Sequence, residues 1–84
     1  MKLISPQKAI SKKGFIVQSK DRYTIEYLEG NAIWEVEVDR GLIFTDVYKD
    51  SLQLVSGLSG ESADIVFDRI QQGLKVMGVN FVVE

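Results

Sequence analysis

The carboxylates of this sequence are the side chains whose spacing is compatible with catalysis or charged recognition. Glu35 and Glu37 lie two residues apart in a segment of alternating apolar and polar residues; Glu26 lies in the segment before it, and Asp39 follows. Paired carboxylates can act as acid and base in glycoside hydrolysis, but a chain of 84 residues scarcely accommodates a sugar-sized groove. We therefore predict no enzyme. Two interpretations remain: the solvent-facing side of a half-buried sheet, or an acidic surface that attracts a basic partner.

Histidine and cysteine are absent from the chain. Their absence excludes Ser-His-Asp catalysis and thiol nucleophiles, and it removes the imidazole and thiolate ligands of most transition-metal sites. The segment Gly57-Leu58-Ser59-Gly60 is too short for a phosphate-binding loop and lacks its lysine. The sequence therefore predicts no cofactor and no metal.

A β-hairpin is predicted to position the three glutamates. Residues 23–28 and 32–38 both alternate apolar and polar side chains, which is typical of strands with one buried face. Glu29-Gly30 is predicted as the turn because glycine adopts positive φ readily. That turn places Ile25 opposite Trp34, with the glutamates on the other face of the hairpin.

One amphipathic helix is predicted over Glu61–Met77. Its apolar residues recur at spacings of three and four, at Ala63, Val66, Ile70, Leu74 and Met77. Ser59 is the predicted N-cap, and Gly78 the predicted left-handed terminator. Gly73 lies inside the helix, where glycine costs about 1 kcal/mol relative to alanine. A close approach of the helix to a sheet would explain it.

Ile65 and Val76 lie beside the main apolar stripe of this helix. They are explained either by a helix that is buried over a wide arc or by a surface for a partner or a second copy. The second explanation makes Ile65 and Val76 interface residues.

Shorter apolar segments complete the predicted fold. Strands are predicted at Met1–Ile4, Ile10–Gly14, Phe15–Ser19, Leu42–Val47, Leu52–Val55 and Val79–Val83, with a bend at Tyr48–Ser51. The prediction is a single α+β domain over residues 1–84. Its sheet is mostly antiparallel with about five to six strands, and one C-terminal helix, at about 61–77, packs on a face and is followed by a last strand.

Charge is divided unevenly along the chain. Residues 1–22 carry six basic side chains and one acidic side chain, whereas the rest carries four basic and eleven acidic ones. This asymmetry is explained by a solvated surface of mixed charge, by charge pairing within the fold, or by an acidic surface for a basic partner. The acidic body argues against nucleic-acid binding. No apolar run predicts a membrane span or a signal peptide, and the lack of cysteine fits the cytoplasm.

Several short motifs resemble a family of small bacterial immunity proteins from polymorphic toxin and contact-dependent inhibition systems. The motifs are Ala9-Ile10-Ser11, Tyr23-Thr24-Ile25-Glu26-Tyr27 with Glu29-Gly30, Tyr48-Lys49-Asp50-Ser51-Leu52, and Ile65…Ile70…Gly73-Leu74…Gly78-Val79…Val82. The family pattern has a tryptophan and prolines after the Asp-Ser bend, where this chain has Gln53-Leu54-Val55-Ser56.

The resemblance implies a non-catalytic cytoplasmic inhibitor that binds one cognate toxin, often a nuclease. A basic toxin would suit the acidic body, and the predicted contact residues are Glu26, Glu35, Glu37 and Asp39. The alternative is a homo-oligomeric structural or adaptor domain, which would use Ile65 and Val76 or an open sheet edge.

Overall fold

The computed structural model describes residues 1–84 as seven strands and one helix. The elements are β1 (Lys2–Ser5), β2 (Lys8–Ile10), β3 (Ile16–Asp21), β4 (Thr24–Glu29), β5 (Ala32–Arg40), β6 (Thr45–Ser56), α1 (Ala63–Val76) and β7 (Phe81–Val83). The strands form one sheet in chain order, antiparallel throughout except that β7 runs parallel to β6. The helix supplies the crossover that a parallel pair requires. It is not long and apolar enough to cross a membrane.

The predicted α+β class is confirmed, but the sheet has seven strands rather than five or six. The strand predicted at Ile10–Gly14 is misplaced: β2 is Lys8–Ile10, and residues 11–14 form a turn. A strand of three residues is too short to show an alternating pattern. The strand predicted from Leu42 is also wrong at its start. Residues 41–44 form a loop, and β6 begins at Thr45.

β6 is a single strand of 12 residues where the sequence predicted two strands and a bend. The predicted bend lies within it as a bulge, because residues 49–52 stand opposite Val36 alone. Ser51 Oγ accepts the backbone N–H of Glu37 at 2.7 Å and donates to the carbonyl of Tyr48 at 2.6 Å. One side chain thus bonds two backbone groups that the interrupted ladder leaves unpaired.

The β4–β5 hairpin has the predicted strands but a different turn. Its two-residue loop is Gly30-Asn31, since Glu29 is already paired across the hairpin. Ile25 therefore lies opposite Val36, and not opposite Trp34 as predicted. Gly30 has φ +59, which fits a type II′ turn with glycine at its first position. The predicted loop would have placed Glu29 there. The shift is two residues, so the side chains within β4 and β5 keep their predicted faces. Tyr23, predicted on the apolar side with Ile25, lies before β4 and is exposed.

The helix begins slightly later than predicted. Ser62, and not Ser59, is the N-cap; its Oγ accepts the N–H of Ile65 at 3.3 Å. Ser59 instead accepts the N–H of Glu61. The predicted stripe is buried at its centre, where it packs on the inner face of the sheet, and Phe67 joins it. The core consists of Phe15, Val17, Ile25, Tyr27, Ala32, Trp34, Val36, Val38, Val47, Val66, Phe67, Ile70 and Leu74.

Gly73 marks the closest approach of α1 to the sheet. A Cβ at this position would lie 2.5 Å from Cβ of Val17 and 2.7 and 2.8 Å from its two methyl groups. Those distances are shorter than carbon–carbon contact allows. The predicted close approach of helix and sheet is therefore confirmed.

Candidate functional site

The four predicted contact carboxylates lie on the outer face of the sheet, opposite α1. Alternation along β4 and β5 turns their neighbours Ile25, Val36 and Val38 into the core and these side chains outward. Glu26 pairs directly with Glu35 across the hairpin, Glu37 pairs with Thr24, and Asp39 pairs with Asp46 of β6. The structure thus brings Glu26 and Glu35 together and places Asp39 beside an acidic residue that was not among the predicted contacts.

Glu26 and Glu35 are occupied by partners within the chain. Gln18 of β3 donates a short side-chain hydrogen bond to Glu26. Lys20 Nζ lies 2.7 Å from Glu35 Oε2, and this hydrogen bond raises the pKa of Lys20 above its usual range. Because one oxygen of each carboxylate already accepts a bond from within the chain, fewer acceptor sites of Glu26 and Glu35 are open to a partner.

Glu37, Asp39 and Asp46 make no salt bridge within the chain. Together with Tyr48, which pairs with Glu37, they form what we call the acidic face. Partial burial raises the pKa of Tyr48 above its usual range, and Asp39 and Asp46 raise it further. Sequence reasoning missed Asp46 and Tyr48, although their alternation with the buried Thr45 and Val47 was a usable signal.

A shallow hollow of about 470 Å³ opens on this face between two tyrosines. Its lining residues are Tyr23, Thr24, Glu37, Val38, Asp39 and Tyr48. Tyr23 is exposed at the β3–β4 turn, and the Arg22 guanidinium lies 5.8 Å from its ring centroid. A tyrosine ring that already accepts one cation, beside free carboxylates, suits contact with basic side chains.

Ile65 and Val76 lie on one flank of α1 without forming a continuous apolar patch. Arg69 lies between them and is itself largely buried, with 15% of its side chain exposed. Its Nη1 donates to Tyr27 Oη at 2.8 Å and to Glu29 at 3.3 Å, and its guanidinium lies 4.7 Å from the Phe15 ring centroid. A buried cation needs such partners. This flank of α1 therefore forms a structural contact between the helix and the sheet through Arg69.

The acidic face is open to solvent. Its carboxylates lie along an open sheet and not in an enclosed cleft, and no group of acidic side chains is arranged to hold a metal ion. The chain matches no protein-family model, and comparisons with curated proteins and with solved structures find no match either. The resemblance to immunity proteins therefore stays a prediction.

Proposed function

We propose that this protein is a non-catalytic immunity-type inhibitor that binds a basic toxin domain through its acidic face. One observation carries the proposal: Glu37, Asp39 and Asp46 lie together on the outer face, and no cation of the chain pairs with them. Unpaired carboxylates attract a basic partner, accelerate its association and reject acidic proteins. A nuclease is a suitable toxin because enzymes that bind a polyanion carry Lys and Arg around the active site.

The two tyrosines support binding as well as attraction. Tyr23 and Tyr48 flank the carboxylates of Glu37 and Asp39 in the outer hollow. Tyrosine combines a large apolar ring with a polar tip, and it is among the residues that carry most of the energy at interfaces. We expect basic side chains of the toxin to lie between these rings and to pair with the carboxylates.

The test is capture of the tagged protein from the cells that produce it, with a high-salt wash and mass spectrometry of what remains. The expected result is one stoichiometric partner, a basic toxin fragment. Glu37→Lys and Asp39→Lys should each weaken its binding at least about tenfold, since a reversed charge repels the partner. Asp68→Lys is the matched control, because Asp68 is exposed on α1 in the other layer, where its carboxylate accepts a hydrogen bond from Gln72 and makes no salt bridge.

Two outcomes would contradict the proposal. If folded Glu37→Lys and Asp39→Lys variants bind the partner as wild type does, the acidic face is not the binding surface. If only the protein itself is recovered, and light scattering gives a mass well above that of one 9.5 kDa chain, the homo-oligomeric adaptor takes its place.

A further inference from the structure

Three consecutive apolar residues project into solvent between β5 and β6. Leu42 is 107% exposed, Ile43 80% and Phe44 43%. We call these three residues the apolar loop. Single exposed apolar side chains need no explanation, but an uninterrupted run of them is selected against in soluble proteins unless it contacts something.

Hydrogen bonds within the fold brace the apolar loop. Gly41 N–H donates to the carbonyl of Phe44 at 3.0 Å, and Asn80 Nδ2 donates to the carbonyl of Ile43, also at 3.0 Å. Thr45 N–H in turn donates to the carbonyl of Asn80 at 2.8 Å. A Cβ on Gly41 would lie 2.7 Å from the Phe44 carbonyl oxygen, so glycine permits this turn. A loop ordered in advance loses little conformational entropy on binding.

The apolar loop is continuous with the acidic face. Asp46 lines a shallow hollow of about 300 Å³ together with residues 41–44, and the same Asp46 pairs with Asp39 across the β5–β6 ladder. Neither aspartate has a salt bridge. The result is an apolar protrusion with uncompensated negative charge on one side.

We infer that the apolar loop anchors the protein to a basic protein surface, with Leu42 and Ile43 entering an apolar pocket of the partner while Asp39 and Asp46 pair with cations around that pocket. The inference rests on the proposed function, because it names the anchor of the same binding surface. An apolar anchor inside a polar rim is the usual arrangement of an interface that excludes water.

The negative charge beside the apolar loop favours one kind of binding partner over two others. A second copy would place the same patch against itself across a two-fold axis, and Asp39 and Asp46 would then face like charges. A membrane surface rich in anionic lipids would repel the same aspartates. A basic protein surface satisfies both the apolar loop and the carboxylates.

The test uses short synthetic peptides on the isotope-labelled full chain, followed by nuclear magnetic resonance. One peptide alternates Lys and Leu, a second alternates Lys and Ser, and a third alternates Glu and Leu. We expect the Lys–Leu peptide to shift the amide signals of residues 41–46 and to bind at least about tenfold more tightly than either of the others, because it alone satisfies both parts of the surface.

Variants locate that binding on the loop. The double variant Leu42→Ser with Ile43→Ser should weaken the Lys–Leu peptide about tenfold, as loss of anchor residues does. Leu58→Ser is its matched control, since Leu58 is also a loop leucine and is 85% exposed. All of these side chains project into solvent, so circular dichroism should show unchanged folds.

Several outcomes would overturn the inference. They are equal binding of the Glu–Leu peptide, unchanged binding by the Leu42→Ser, Ile43→Ser variant, a loop-dependent dimer in light scattering, and loop-dependent binding to anionic lipid vesicles. The proposed function fails separately. If no toxin is captured but the Lys–Leu peptide binds at the loop, the inference stands alone. If a captured toxin binds the serine variant as tightly as wild type, only the inference fails.

Discussion

Replacing Gly73 by alanine sets two effects in α1 against each other. Alanine is favoured over glycine in a helix interior by about 1 kcal/mol. However, the new methyl group would lie 2.5 Å from Cβ of Val17, a residue with no exposed surface. Val17 cannot yield easily, because it is β-branched and its strand β3 is paired on both sides, with β2 and β4.

The packing effect is the larger of the two. Forcing an extra methylene into a packed core costs about 1–3 kcal/mol, and an overlap with three atoms of one rigid side chain belongs at the upper end of that range. We therefore expect Gly73→Ala to lower the free energy of unfolding by a net ~1–2 kcal/mol. For a domain of this size that corresponds to a melting temperature lower by roughly 5–15 °C.

Urea unfolding of wild type, two single variants, their double variant and one control tests this reasoning. In the double variant Gly73→Ala with Val17→Gly, the new methyl occupies space that the whole valine side chain vacates, including the Cβ that lies 2.5 Å from it. The double variant should therefore be at least about 1 kcal/mol more stable than the sum of the two single effects predicts. Gly60→Ala is the control, because a Cβ there meets no atom within 4 Å; it should change stability by less than about 0.5 kcal/mol. A Gly73→Ala variant as stable as wild type would refute the close approach.

Three further measurements follow from particular contacts. Burial raises the pKa of the Tyr27 hydroxyl from 10.0 to about 12 in the folded chain. Between pH 10 and pH 12 the unfolded chain therefore loses this proton before the folded chain does, so the free energy of unfolding should fall as the pH rises. The fall should be less steep in Tyr27→Phe than in wild type, and urea midpoints at each pH would measure it. Ser62→Ala should lower the free energy of unfolding by about 1 kcal/mol through loss of the N-cap, whereas Ser59→Ala should change it much less. Ile65→Glu should leave the mass in light scattering at one chain, because Arg69 interrupts that flank; a wild-type oligomer that the variant dissolves would restore the adaptor interpretation.

Local patterns predicted what depends on neighbours in sequence. Alternation gave the faces of β4 and β5 correctly, and helical spacing gave α1 within two residues at each end. The unpredicted features depend on pairing partners. Nothing local to residues 48–51 shows that Ser51 bonds across to Glu37, which is what keeps β6 one paired strand through its bulge.

In the candidate site, too, the features that depend on sequence neighbours were predicted, and those that depend on contacts between strands were not. The outward direction of Glu35 and Glu37 follows from alternation, and the structure confirms it. That Glu35 is paired and Glu37 is free could not be predicted, because it depends on whether Lys20 of β3 can reach each of them. The exposed loop at Leu42 was predicted as part of a strand, because a short apolar run in the sequence does not show whether its side chains are buried.

Sheet order explains why the acidic face lacks internal cations. The basic residues concentrate in the first part of the chain, and the strands are arranged in chain order, so most of the positive charge lies on the β1–β3 side. Neighbouring strands are ~4.8 Å apart. Lys20 spans β4 to reach Glu35 on β5, but Asp46 lies one strand further on.

Basic side chains that come later in the sequence have partners away from the acidic face. Arg40 donates to Arg22 and Ser19 at the β3–β4 turn, and Lys49 lies over the Phe67 ring of α1. Internal pairing therefore explains part of the charge asymmetry, where Lys20 of β3 reaches Glu35. At β5 and β6 the negative charge has no internal salt bridge, and its attraction for a basic partner stays a prediction.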